Sequence, residues 1–116
     1  MTTNHTAAPT ASQKIAALGD SMRRQIYEML AANPSAVGDI ARRLPVTRSA
    51  VSQHLRVLKE AGLVDHQTFG TRNVYHINLA GVASLRDYFD ALWEKALSDY
   101  KAVAEDLYRR KRKEKN

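Results

Sequence analysis

Residues 47–64 constrain this chain more than any other segment, because they carry the start, the two faces and the end of one amphipathic helix. Thr47 is a residue type that caps a helix at its N-terminus, and Gly62 is one that ends a helix. Between them, apolar residues recur at helical spacing on one face: Ala50, Val51, Leu55 and Leu58. The chain must bury this face and leave the opposite one exposed.

The exposed face of this helix is rich in hydrogen-bond donors, hydroxyls and positive charge. Its members are Arg48, Ser49, Ser52, Gln53, Arg56 and Lys59, and Glu60 is its single acid. A face that meets only solvent more often mixes Glu with Lys. These groups instead suit base edges and phosphates in a DNA major groove. We expect Arg48 and Gln53 to read bases, since Arg pairs with guanine and Gln with adenine.

The other segments predict a mainly α fold with a small β-hairpin. In order, they are helices over 12–18, 21–32 and 36–44, strands over 63–68 and 73–77, and a helix over about 80–110. The N-caps are expected at Ser12, at Asp20 or Ser21, and at Ser35. Two short helices joined by a tight corner form a helix–turn–helix, and the hairpin after it forms a wing around loop 69–72.

Length and composition fit one domain over 12–108, between a disordered tail at 1–11 and a basic tail at 109–116. The basic tail carries most of the net charge of +6. It is expected to be a solvated end, or alternatively a weak non-specific phosphate contact. The absence of cysteine excludes disulfides and thiolate metal sites. Because no apolar run reaches membrane length and no signal-peptide pattern is present, a cytoplasmic protein without membrane partners is expected.

Four segments of the sequence resemble the ArsR/SmtB family of winged-helix repressors, over about residues 12–108. They are Ala17–Ile26, Val37–Ala41, Ser49–Leu58 followed by Glu60–Val64, and Gly70–Tyr75. The resemblance implies a homodimer joined by its first and last helices, with the fourth helices in successive major grooves and the wings near the flanking minor grooves. The sequence is most similar to the branch of the family that lacks metal ligands.

Two sets of site residues follow from the sequence and the resemblance. The predicted DNA-binding residues are Arg43, Thr47, Arg48, Ser49, Ser52, Gln53, His54, Arg56 and Arg72. The predicted dimer-interface residues are Ile15, Leu18, Leu85, Tyr88, Phe89, Leu92, Trp93, Ala96 and Tyr100. Two roles stay open within the first set: His54 makes a structural hydrogen bond or a phosphate contact, and Arg72 meets DNA or solvent.

The family's metal-binding patterns do not match this sequence. One pattern uses Cys-x-Cys where this chain has Val37-Gly38-Asp39, and the other uses histidines on the last helix, which has none. His66 and His76 lie on the two wing strands, where strand packing is favoured over a metal site. We therefore expect no metal or other cofactor, and the inducing signal stays unknown.

The sequence favours a sequence-specific homodimeric repressor that binds double-stranded DNA at an inverted-repeat operator. Three alternatives remain: a metal-responsive repressor with a non-standard site, a non-specific architectural DNA-binding protein, and a protein-interaction module that uses the last helix. An enzyme is not expected, because the sequence contains neither a Gly-rich phosphate loop nor a recognisable nucleophile–base constellation.

Overall fold

A computed structural model describes residues 8–115 of the chain. Its elements are α1 (Ala11–Gly19), α2 (Ser21–Ala32), β1 (Ser35–Ala36), α3 (Val37–Ala41), α4 (Arg48–Glu60), β2 (Val64–Phe69), β3 (Arg72–Ile77) and α5 (Leu79–Lys115). The predicted disordered tail falls largely on residues 1–7, which lie outside the described residues. The order of helices and strands is that of a winged helix–turn–helix, as the sequence predicts.

Side-chain caps define the starts of three helices. Thr10, not Ser12, caps α1: its hydroxyl accepts from the backbone N–H of Gln13 (3.1 Å), and the Gln13 side chain accepts from the Thr10 N–H (2.7 Å). This reciprocal pair satisfies two donors, whereas a cap at Ser12 would satisfy one. Asp20, rather than the alternative Ser21, caps α2, and Thr47 caps α4 as predicted.

The predicted third helix is wrong in its start and its length. Ser35 is not its cap; Ser35 and Ala36 form the short strand β1, which pairs antiparallel with Tyr75 and Val74 of β3. The helix then runs only from Val37 to Ala41. A strand of two residues has no alternation for a sequence pattern to show, and its pairing partner lies about forty residues further along the chain.

The wing is a tighter hairpin than the sequence predicts. Phe69 and Arg72 were expected in the loop, but they pair with each other at the end of the β2–β3 ladder. Only Gly70 and Thr71 remain to turn the chain, and Gly70 takes a positive φ of 64°. Glycine adopts this conformation without steric cost. The sheet has the order β1-β3-β2, so β3 is held on both edges.

The core lies between α2, α3, α4 and the start of β2. Its fully buried side chains are Ile26, Ile40, Val51, Leu55, Leu58, Leu63 and Val64. The spacing on α4 predicts the burial of Val51, Leu55 and Leu58, and the structure confirms it. Because α4 commits its apolar face to this core, its polar face is left at the surface.

The long helix α5 continues past residue 110, where the sequence predicts its end. The basic segment 109–115, which the sequence predicts as a tail outside the domain, is part of this helix. Arg109 and Arg110 both pair with Asp106, and the Arg112 guanidinium lies over the Tyr108 ring. Such i, i+3 and i, i+4 contacts support a helix without an apolar pattern.

The chain divides into two compact units, Met1–Leu85 and Arg86–Asn116. Within the second unit, large apolar side chains are exposed along α5, among them Trp93 (63%) and Tyr100 (71%). No helix among residues 8–115 is both long and apolar enough to cross a membrane.

Candidate nucleic-acid interface

The two faces of α4 separate as the sequence predicts. Val51, Leu55 and Leu58 have no exposed surface, and the opposite face is exposed. The predicted DNA-binding residues on the exposed side are Arg48, Ser49, Ser52, Gln53 and Arg56. His54 is half-buried between the two faces. A row of donors and acceptors on a helix anchored by its other side can enter a groove as a rigid unit.

The remaining predicted DNA-binding residues flank this row. Thr47 is exposed, and its hydroxyl accepts from the backbone N–H of Ala50 (3.0 Å), so it fixes where α4 begins. Arg43 is exposed in the corner between α3 and α4, next to Leu44, which is buried in the core. Lys59 lies on the polar face of α4 but is not one of the predicted DNA-binding residues; its Nζ lies 3.1 Å from Nδ1 of His66 on β2.

A shallow depression joins α3, the start of α4 and the wing. Its polar lining includes Asp39, Arg42, Arg48, Ser52, Arg72 and Asn73. Three arginines from three elements therefore converge on one surface. Arg72 of the wing and Arg48 of α4 thus line the same depression, so that basic groups of both elements face one surface.

Asp39 binds two of these arginines. An oxygen of its carboxylate lies 2.5 Å from Nη2 of Arg72, and the other accepts from Nη2 of Arg42. Arg72 was predicted to meet DNA or solvent; in the structure it meets a carboxylate. Neither Asp39 nor Arg42 was among the predicted site residues. The Asp39–Arg72 pair joins residues 33 positions apart, and no local pattern in the sequence signals it.

Arg48 lies close to the backbone of α3. A Cβ added to Gly38 would lie 3.4 Å from Nη1 of Arg48, within van der Waals contact. Glycine at this position thus leaves the guanidinium room to lie along α3. A larger side chain at position 38 would shift Arg48 outward.

The two wing histidines do not converge on a shared metal ion. In the β2–β3 ladder, His66 is opposite Tyr75 and His76 is opposite Asp65. Successive residues of a strand point to opposite faces, so the two imidazoles lie on different faces of the sheet. His66 packs against the Tyr75 ring, with centroids 5.0 Å apart. Within residues 8–115, no group of three or more His, Asp or Glu side chains is placed to hold a metal.

The predicted dimer-interface residues lie in two groups, one on α1 and one on α5. Ile15 on α1 is 38% exposed, and Leu18 is half-buried against the core. On α5, Leu85 is half-buried and the others are exposed: Tyr88, Phe89, Leu92, Trp93, Ala96 and Tyr100. The α5 group exposes more apolar surface than is usual for a helix that is surrounded by water.

Comparisons with known proteins agree with this architecture. Residues 20–66 match the model of the bacterial regulatory protein, arsR family. The chain is 54% identical over 84 residues to the HTH-type transcriptional regulator Rv2034 of Mycobacterium tuberculosis, a match that covers 72% of this chain and 78% of that protein. It is 37% identical over 67 residues to the arsenical resistance operon repressor of Bacillus subtilis, covering 57% and 64% of the two chains.

A solved structure shows the same fold. The solution structure of Mb0332 from Mycobacterium bovis, described as a homodimeric winged helix–turn–helix DNA-binding domain, superposes with a TM-score of 0.59. The two sequences are 31% identical, and the match covers 72% of this chain and 78% of that one. The chain therefore belongs to the arsR family of bacterial regulatory proteins and is a winged helix–turn–helix transcriptional regulator.

Proposed function

We propose that the chain is a homodimeric, sequence-specific repressor that inserts α4 into the major groove of an inverted-repeat operator. The observation that carries this proposal is the exposed row of Arg48, Ser49, Ser52 and Gln53 on a helix whose opposite face is buried. Repression is supported by the name of the Bacillus relative and dimerisation by the description of the Mycobacterium structure. A bacterial protein with this role acts in the cytoplasm, as a regulator rather than an enzyme.

The apolar residues of α5 support a dimer formed with a second copy of the chain. They recur every eleven residues: Leu85, Ala96 and Leu107; Phe89 and Tyr100; Leu92 and Val103. Eleven residues make three turns of a nearly straight helix, so all seven lie on one stripe along α5. Most of these side chains are exposed. A stripe that continues for over thirty ångströms, at about 1.5 Å per residue, is well suited to pair with another helix.

Two-fold symmetry of the dimer determines the expected operator. Two copies of α4 related by a two-fold axis meet two half-sites about one helical turn apart, on one side of the duplex. Arg48 and Gln53 then supply base contacts, while the basic residues around α4 and the wing supply contacts to phosphate.

The test is selection of random duplex DNA by the purified full chain, followed by sequencing and a mobility-shift titration of the recovered sequence. An inverted repeat bound at least a thousandfold more tightly than random DNA supports the proposal. Recovery of fragments without a shared sequence would instead indicate an architectural DNA-binding protein. Absence of any DNA binding would favour a protein-interaction module.

A further inference from the structure

Asp39 is a negative charge on the surface that the proposed function turns toward DNA. Among the described residues that line the depression between α3, α4 and the wing, it alone is acidic. Its carboxylate binds two guanidinium groups at once, those of Arg42 and Arg72. A carboxylate and a phosphate present similar oxygens to a guanidinium, so a DNA phosphate competes for the same donors.

The two ion pairs are exposed enough to open. The Arg42 and Arg72 side chains keep 74% and 60% of their surface exposed, and the Asp39 side chain keeps 37%. Ion pairs at such exposure contribute little to folding. The wing is held instead by its ladders, in which β3 pairs with β2 at six positions and with β1 at two. Loss of Asp39 therefore leaves the wing in place and frees two cations.

We propose that Asp39 is an intramolecular competitor of DNA phosphate, which occupies Arg42 and Arg72 in the free protein and so lowers the affinity for all DNA. This inference rests on the proposed function, since it requires that this surface meets DNA. DNA must displace the Asp39 carboxylate from two arginines before its phosphates can bind them, and this exchange makes the net free energy of binding less favourable. The effect is independent of base sequence, because phosphates occur at every position of the duplex.

The experiment compares the wild type with Asp39→Asn on operator DNA and on random DNA, over a series of salt concentrations. Asparagine keeps the shape of the side chain and removes its charge. We expect Asp39→Asn to bind both DNAs about three- to tenfold more tightly at moderate salt. The salt dependence should steepen by one to two units per subunit, because up to two more cations reach phosphate. The preference for operator over random DNA should stay the same.

Asp87→Asn is the matched control. Asp87 is exposed on the face of α5 opposite the apolar stripe, and its substitution changes the net charge by the same amount. An equal gain in affinity for this variant would overturn the proposal, because general charge would then explain the effect. A second comparison places Asp39→Asn in an Arg42→Gln/Arg72→Gln background, where the gain should disappear. Persistence of the gain there would also overturn it.

The direction of the Asp39→Asn effect separates competition from positioning. If Asp39 held Arg72 in the orientation that DNA needs, Asp39→Asn would bind DNA more weakly, and the competitor role would be wrong. An unchanged affinity would contradict it equally. Thermal unfolding of each variant verifies that it is folded. If the wild type binds no DNA at all, the proposed function is wrong, and this outcome is distinct from any effect of Asp39→Asn.

Discussion

The backbone of Gly81, in the first turn of α5, packs directly against the carbonyl oxygen of Gly62. A Cβ built on Gly81 would lie 1.9 Å from that oxygen and 3.0 Å from the Gly62 carbonyl carbon. Gly62 itself has a φ of 78°, which reverses the chain after α4. Pro9 lies on the other side of this turn, its Cγ 3.3 Å from where a Gly62 Cβ would be. The turn after α4 is thus enclosed by two other segments of the first unit.

We predict that Gly81→Ala lowers the free energy of unfolding by about 3 kcal/mol or more, because the clashing atom is backbone and cannot rotate away. Gly19→Ala is the control, since Gly19 is helical, has no positive φ and has no atom within 4 Å of an added Cβ. Gly19→Ala should raise the free energy of unfolding by no more than about 1 kcal/mol. Urea unfolding at one protein concentration measures both. Equal stability of the two variants would contradict the packing described.

Acid should destabilise the wild type through the N-cap of α2. The backbone N–H of Arg23 donates to the Asp20 carboxylate, and this hydrogen bond lowers the Asp20 pKa below 3.8. A lowered folded-state pKa contributes stability that is fully present above the unfolded-state pKa and is lost as pH falls through the folded-state pKa. Asp20→Asn keeps a capping oxygen but does not titrate.

The free energy of unfolding of Asp20→Asn should therefore fall less steeply than that of the wild type on acidification from about pH 5 to 3. Chemical denaturation at each pH gives the two curves. Parallel curves over this range would show that the Asp20 carboxylate makes no pH-linked contribution.

Substitutions on α4 should change sequence preference rather than overall affinity. Arg48→Ala or Gln53→Ala should cost about 1–3 kcal/mol at one base pair of each half-site, since each removes a base-edge contact. Arg43→Ala in the corner before α4 is the comparison: it should weaken all sequences alike and reduce the salt slope by about one unit per lost phosphate contact. Competition titrations with single-base operator variants distinguish these patterns. An unchanged base preference in Arg48→Ala would show that Arg48 does not read bases.

Transition metals should leave operator affinity unchanged, because His66 and His76 lie on different faces of the wing. The measurement is a mobility-shift titration with chelator and with micromolar Zn²⁺, Ni²⁺ or Co²⁺. A tenfold loss of affinity with metal, about 1.4 kcal/mol of coupling, would contradict the prediction if His66→Ala or His76→Ala abolished it. A metal ion bound at the wing, rather than at α5, would then control the affinity for the operator.

The parts of the structure that the sequence predicts are those determined by neighbouring residues. Thr47 marks the start of α4, and the spacing of Val51, Leu55 and Leu58 identifies its buried face, because both signals are local. The sequence does not predict the strand β1 or the Asp39–Arg72 pair, because the partners in each are distant in sequence and meet only in the folded chain. The end of α5 beyond residue 110 was not predicted, because its residues are basic and carry no apolar periodicity.

Trp93→Ala should weaken the dimer while leaving each subunit folded. The Trp93 side chain is 63% exposed within one chain, so its removal costs the isolated subunit little. In a dimer paired along α5, the ring is buried between subunits, and its loss should cost about 2–4 kcal/mol of association free energy. Trp93 borders the apolar stripe, about 20° around the helix from Tyr100. Tyr108→Ala is the matched control, because Tyr108 is similarly exposed (64%) but lies about 80° from Tyr100, away from the stripe. Sedimentation equilibrium should show the wild type and Tyr108→Ala as dimers at low micromolar concentration and Trp93→Ala as largely monomeric. A monomeric wild type at that concentration, or equal dissociation of the two variants, would refute pairing through this stripe.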